Sequence, residues 1–339
     1  MYRKRTGVLW IISLVVLVAF AALPMGLSEY MVETTTRILI LGLLALSFDL
    51  VWGYAGILSF GQALFFGVSA YLMAVCGRDL GLSSGYIMLP LATLTGYGLA
   101  LLLGWFLFLG RTTPSVIFIA LGTLTGSYTA DRLARAWYYL GGQNGIPSFL
   151  PLMFGAYEMY SGVAFYYLAF ALLGLVYLFC RWLVRSQYGL VLAGIRQHEA
   201  RITFFGYRAS AYKATVFAIS GAIAGLAGGL LAFHDGFVWP NLMGIVTSTQ
   251  AVIYVLFGGA GTLIGAIVGT TAIEYATFFL ADHYPKIWPV ILGLLLLLVI
   301  LFRPSGLLGL LVSEQERVGR FGRSQGSRAQ SKDAGHGAT

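Results

Sequence analysis

The chain has 339 residues, 58% of them apolar and only 10% charged, with a mean hydropathy of +0.82 and a net charge of +8. A soluble protein of this length needs more charge to cover its surface, so that class is excluded. Apolar runs that are continuous rather than alternating exclude a membrane β-barrel, and the 44 glycines suit close packing of membrane helices.

Residues 1–7 are a basic start. Val8 to Leu27 is uncharged and long enough to cross a bilayer; Ala19-Phe20-Ala21 imitates a signal cleavage site, but the stretch reads as a retained span. Ser28 to Thr36 reads as an outer loop and Ile38 to Trp52 as the return inward. At Gly53 the sequence changes to GYAGILSFGQ, where Gly53, Gly56 and Gly61 make a continuous helix costly. Ala63 to Cys76 leads out, Tyr86 to Leu109 in, and Ser115 to Ala130 out, with an inner turn at 111–114. Asp131 to Tyr157 is a long outer segment containing the turn-rich GGQNGIP, Gly141 to Pro147. Met159 to Phe179 returns inward.

Arg185 to Lys213 is a charged island between apolar segments. Its first part draws as a short helix with Leu190, Ala193 and Gly194 on one face, and Gly206 is placed to end it. Arg196 and Glu199 stand three apart and can pair on that helix. Such a helix is a surface for a soluble partner, or a loop whose charge sets topology. Ala214 to Phe233 then crosses outward with Gly221, Gly225, Gly228 and Gly229 suited to helix contact. Gly244 to Phe257 heads inward, Gly258 to Gly261 breaks it, Leu263 to Ala281 leads out, and Ile287 to Phe302 makes the last crossing.

These elements make an all-α polytopic membrane protein of about ten transmembrane segments, some short or broken at Gly-rich stretches, with both termini cytoplasmic. Residues 1–312 form the transmembrane domain, with a cytoplasmic loop at about 185–213. Residues 313–339 form a polar tail of disordered composition. On this topology sixteen of the 21 Lys and Arg residues lie inside, leaving Arg37, Arg78, Arg132, Arg135 and Lys286 outside. That is the positive-inside bias, so the excess charge needs no nucleic-acid partner. Cys76 and Cys180 fall near opposite faces and are too few for a disulfide framework or a metal site.

Gly53 to Leu58 and Gly258 to Leu263 share the pattern G-x-A-G-x-L. Broken helices at matching places in two halves mark substrate paths in many transporters, whereas close packing alone also selects glycine. Asp49 and Glu274 are acids within spans; each either lines a path or bonds a neighbouring helix. Gly53, Gly56, Ser59, Gln62, Thr247, Ser248, Gln250, Gly258 and Gly261 are, with Asp49, the candidate path residues. His234-Asp235 suits a span boundary. The sequence has no G-x-x-x-x-G-K-[S/T] nucleotide loop and no metal-ligand spacing.

Gly189, Ile195-Arg196, Glu199, Gly206 and Tyr207 resemble the coupling loop of permease subunits of bacterial ABC importers, nearest the LivM type that serves branched-chain amino acids and urea. Gly194 stands where that family usually has alanine, and His198 where it often has asparagine. GGQNGIP, LSFDLVWGYAGILSFGQALFFGVSAY (Leu46 to Tyr71) and VLFGGAGTLIGAIVG (Val255 to Gly269) extend the resemblance from about Ile38 to Leu311. It implies a transport subunit, not an enzyme, in a bacterial inner membrane. It also implies a second permease of the same family, two cytoplasmic ATPases that carry the ATP-Mg, and a periplasmic binding protein. No cofactor is implied in this chain. Gly189, Gly194, Ile195, Arg196, Glu199 and Gly206 would couple to the ATPase. The implied cargo is a branched-chain amino acid, with urea or a short amide as the alternative, and an ion-coupled secondary transporter is the rival class.

Overall fold

The computed structural model describes residues 20–108 except 22, residue 110, residues 115–284 except 148 and 156, and positions 286, 287, 290, 291, 293, 294, 297 and 306. Most of the first expected span (residues 8–19 and 22) falls outside these residues, as do most of the last one, the turn at 111–114 and the tail.

Nine helices are described: α1 (Glu29–Asp49), α2 (Gln62–Asp79), α3 (Gly85–Phe108), α4 (Val116–Ala136), α5 (Val163–Arg185), α6 (Gln187–Phe204), α7 (Ala209–Asp235), α8 (Ile245–Gly258) and α9 (Ile264–His283). All but α6 coincide with the eight expected segments that fall among the described residues. Five helices are long and apolar enough to cross a membrane: α1 with the turn that follows it, α3, α5, α7 and α9. Along their interiors most backbone groups bond within the helix, as a lipid surrounding requires.

The core is built on α1 and α7, the most enclosed of the long helices, with α3 and α5 at the periphery. The α3–α7 contact explains much of the glycine content. A Cβ at Gly221 or Gly225 would collide with α3 at Gly96, Ala100 or the Ala92 carbonyl, and one at Gly228 with the Phe66 carbonyl of α2. The small residues therefore bring three backbones together, as read from the sequence.

One end of the bundle carries α6. The opposite end carries two small sheets: β1 (Ile146–Pro147) paired antiparallel with β4 (Phe237–Val238), and β2 (Leu152–Phe154) with β3 (Tyr157–Met159). The GGQNGIP loop is thereby tied to the chain leaving α7. Two stretches expected as outer loop are helical. Residues 29–36 are the first turns of α1 rather than a loop, and Asp131 lies inside α4, which runs on to Ala136. A charge every few residues looks like loop in a linear reading. In α4 the helix continues, and Asp131 and Arg135 pair across one turn of it at i,i+4.

Both glycine breaks are real. α1 passes into a π-turn at Leu50–Tyr54 and then loses helical form until α2 begins. That non-helical strand lies along α8. Gly53 meets Gly261 beyond the end of α8, while the Phe60 carbonyl accepts from Ser248 Oγ near its start at 2.6 Å. Ser248 and Gly258 are separated by about 15 Å of helix, so irregular backbone runs through the bundle for much of the length of α8. It is tolerated there because protein groups satisfy it: the Phe60 N–H donates to Thr123 Oγ1 at 3.0 Å and the Gly61 N–H to Ser59 Oγ at 3.1 Å.

Candidate functional site

The two G-x-A-G-x-L stretches, far apart in the chain, are in direct contact. Asp49, the last residue of α1, is fully buried. Its Oδ1 accepts the Gly261 N–H at 2.6 Å and its Oδ2 the Leu263 N–H at 2.8 Å. Both donors belong to the loop between α8 and α9. Leu263 is held at φ 55°, a conformation that side chains rarely adopt. The carboxylate thus replaces, for two backbone N–H groups, the partners that a helix would have supplied. Gly53 sits between: a Cβ there would overlap the Asp49 carboxylate and lie 2.6 Å from the Gly261 nitrogen.

The third component is α6. Its buried face is Gly189, Leu192 and Ile195. Leu190 is 65% exposed, so the packing face is rotated from the one read in the sequence. Arg196 is exposed as a residue, yet its Cγ lies beneath Gly56 and its Nη1 donates to the Gly53 carbonyl. Gly56 has φ +72°, and a Cβ there would come within 2.8 Å of Arg196 Cγ, so glycine is required twice over. Desolvation pulls the Arg196 guanidinium below its ordinary value while the Asp49 charge pulls the other way; it stays cationic and offsets the buried carboxylate across the Gly53 peptide. The expected Arg196–Glu199 pair does not form. Backbone angles at His198 (φ −153°, ψ 90°) break α6 between them, and Glu199 Oε2 instead meets Lys213 Nζ of α7 at 2.6 Å. The two charges of α6 therefore hold two different elements. Gly206 ends α6 as expected, with φ +89°, its N–H donating to the Thr203 carbonyl at 3.0 Å.

Residues 30–300 match the family model described as branched-chain amino acid transport system / permease component. The chain belongs to this family. The permease is 29% identical over 315 residues to the high-affinity branched-chain amino acid transport system permease protein LivM of Salmonella typhimurium, a match covering 86% of this chain and 73% of the relative. It is 25% identical over 318 residues to a probable branched-chain amino acid transport permease protein LivM of Methanocaldococcus jannaschii, covering 78% and 89%. It is 32% identical over 261 residues to the autoinducer 2 import system permease protein LsrC of Escherichia coli O9:H4, covering 68% of each. No solved structure matches it. The permease is thus a LivM-type, multi-pass membrane protein, and its family members are transport subunits.

The remaining candidate residues of the permease fall into three places. Gln62 is buried and donates to Ser220 Oγ at 2.9 Å, while the Ser220 hydroxyl donates to the Ser47 carbonyl at 2.9 Å, so α1, α2 and α7 share one polar network. Ser59 and Ser248 stabilise the non-helical strand, Thr247 donates to the Asn241 carbonyl at 2.8 Å, and Gln250 lies on the exposed side of α8. Gly258 is pressed against the Gly265 carbonyl, closing the α8–α9 loop. Gly194 packs against Ile202 across the α6 kink, and Gly189 against the Val184 carbonyl of α5. Glu274 accepts from the Tyr254 hydroxyl, joining α9 to α8, and His234 pairs with Asp235 at the end of α7. Linear reading missed Tyr71, Ser220 and Asn241, isolated polar residues without a motif, and it missed Leu263, which only its backbone angle singles out. Among the described residues no group of three His, Cys, Asp or Glu gathers to hold a metal.

Proposed function

We propose that the chain is the membrane-spanning subunit of an ATP-driven importer of branched-chain amino acids. In this reading residues 1–312 cross a bacterial inner membrane about ten times, with both termini and α6 on the cytoplasmic side, and residues 313–339 form a cytoplasmic tail. A second permease of the same family, two ATPase subunits that bind ATP-Mg, and a periplasmic binding protein complete the machine. The observation that carries the reading is the meeting of α6 with both glycine breaks at Arg196, Gly53, Gly261 and Asp49. An element able to touch a soluble partner is tied directly to the irregular backbone inside the bundle. Asp49, Gly53, Gly56, Ser59, Gln62, Thr247, Ser248, Gln250, Gly258 and Gly261 line or shape the path.

The far end of α6 supplies the docking surface. Phe204 is 88% exposed, Phe205 67% and Tyr207 44%, and Arg201 and Arg208 flank them. Aromatic residues with arginine are the composition of an interface centre. The relatives named for branched-chain amino acids favour that cargo over urea. The two acids within spans each have a structural partner: Asp49 has both oxygens on backbone N–H groups and Glu274 accepts from Tyr254, which supports the ATP-driven reading over the ion-coupled one.

Co-expression with the ATPase subunits and the binding protein, followed by reconstitution, tests this reading. Uptake of radiolabelled leucine should require ATP inside the vesicle on the ATPase side, and a Phe204→Ala, Phe205→Ala, Tyr207→Ala triple variant should lose co-purification of the ATPase. ATP-independent uptake driven by an ion gradient would refute it. For orientation, single cysteines placed at Gln143 and Ser210, with Cys76 and Cys180 replaced by serine, should label from opposite sides of intact cells; labelling of both from outside rejects the proposed topology.

A further inference from the structure

Away from α6, a second polar cluster lies toward the sheet-bearing end of the bundle, where α4 and α2 meet the 3-10 turn Pro240–Met243 that leads into α8. The Asp131 carboxylate is nearly buried and accepts from Arg135 Nε and Nη2, each at 2.9 Å. Arg135 Nη2 also donates to Asn241 Oδ1. Ser127, one turn earlier on α4, donates to the Met243 carbonyl at 2.5 Å, and Gly67 of α2 packs on Met243. One turn beyond Gly67, Tyr71 is only 4% exposed and lies in the electrostatic field of Arg135 and Asp131. Its hydroxyl is buried with no hydrogen-bond partner among the described residues.

We propose that this cluster is a subsite for the charged end of a free α-amino acid, with Asp131 taking the ammonium, Arg135 the carboxylate and Tyr71 the third hydrogen bond. The inference rests on the branched-chain amino acid reading above. A buried tyrosine hydroxyl without a partner is costly, and the ion pair whose field it feels has a nearly buried carboxylate. The geometry suits a ligand carrying both charges. Such a ligand entering between Asp131 and Arg135 exchanges one ion pair for two and strands no charge. A ligand with a single charge would leave one of the two side chains unpaired in a poorly solvated place, so the pair discriminates by leaving mismatched ligands with an unsatisfied partner. Access is asymmetric in the required sense: the Arg135 side chain is 30% exposed and the Asp131 side chain 9%, which puts the cation at the opening and the acid behind it.

The test uses the full chain in nanodiscs. Calorimetric binding would be measured for L-leucine, for 4-methylpentanoate, which lacks the ammonium, and for 3-methylbutylamine, which lacks the carboxylate. Leucine should bind at least tenfold more tightly than either analogue. Asp131→Asn should reduce the preference for leucine over 4-methylpentanoate, and Arg135→Gln the preference over 3-methylbutylamine. Tyr71→Phe should weaken leucine without changing either ratio. A merely structural clamp would shift all three ligands together, so parallel losses, or no leucine binding at all, overturn the subsite. Leucine uptake by the complete importer separates the two readings. Uptake that persists in Arg135→Gln with wild-type selectivity rejects the subsite and leaves the importer standing. Absence of leucine uptake by the wild-type complex rejects the importer reading whatever this cluster binds.

Discussion

Replacement of Asp49 by alanine should be the most damaging single change in the described bundle. The substitution removes the acceptor for both the Gly261 and Leu263 N–H groups at a fully buried position. Each orphaned buried donor costs about 1–3 kcal/mol, two are lost together, and whole domains have only about 5–15 kcal/mol of stability to lose. Leu263, held at an unfavourable backbone angle, would lose the hydrogen bond that helps to hold it there. Asp49→Ala should therefore melt well below the wild type in detergent and fail to assemble with its partners. Asp49→Asn keeps the shape and one acceptor oxygen but turns an NH2 group toward one of the two donors, so it should fall between. A fluorescence-monitored melting series decides this: an Asp49→Ala protein melting within a degree or two of wild type would remove the clamp from the account.

Arg196→Ala should separate docking from transport. The side chain points into the bundle, to the Gly53 carbonyl beneath Gly56, and not toward the exposed aromatic end of α6. Loss of a hydrogen bond from a charged donor is worth about 1.5–3 kcal/mol, or roughly ten- to hundredfold at 1.4 kcal/mol per decade. Leucine uptake is expected to fall by about that factor while the ATPase still co-purifies and still hydrolyses ATP. Arg196→Lys should recover little, because an ammonium lacks the planar fork that reaches the carbonyl while lying under Gly56. If Arg196→Ala instead loses the ATPase along with uptake, then Arg196 is a docking charge and α6 is not linked to the glycine break through it. The Glu199–Lys213 pair is the companion tie from the second half of α6 to α7, so the kink at His198 divides the helix into parts that hold the first break and the central helix.

Local chemistry accounts for what could be read from the sequence alone. Apolar run length set the membrane class, because hydrocarbon admits only backbones that satisfy themselves. Glycine spacing located both breaks, since the conformational cost of glycine acts where the residue stands. Gly206 marked the end of α6 for the same reason, and the charge of residues 185–213 set that stretch apart from the spans on either side. Tertiary structure alone decided the partners. The two repeats proved to be each other's contact, through a carboxylate 212 residues from the N–H it accepts, and no periodicity encodes a distance of that kind. Arg196 and Glu199, three apart and read as a pair, turned to different elements because a backbone break at His198 intervened. Asp131 and Arg135 looked like loop residues until α4 was seen to carry them past Tyr71 and Asn241. A buried polar group takes the partner that packing brings to it. Packing depends on every helix at once, and that is why these residues carried no signal of their own.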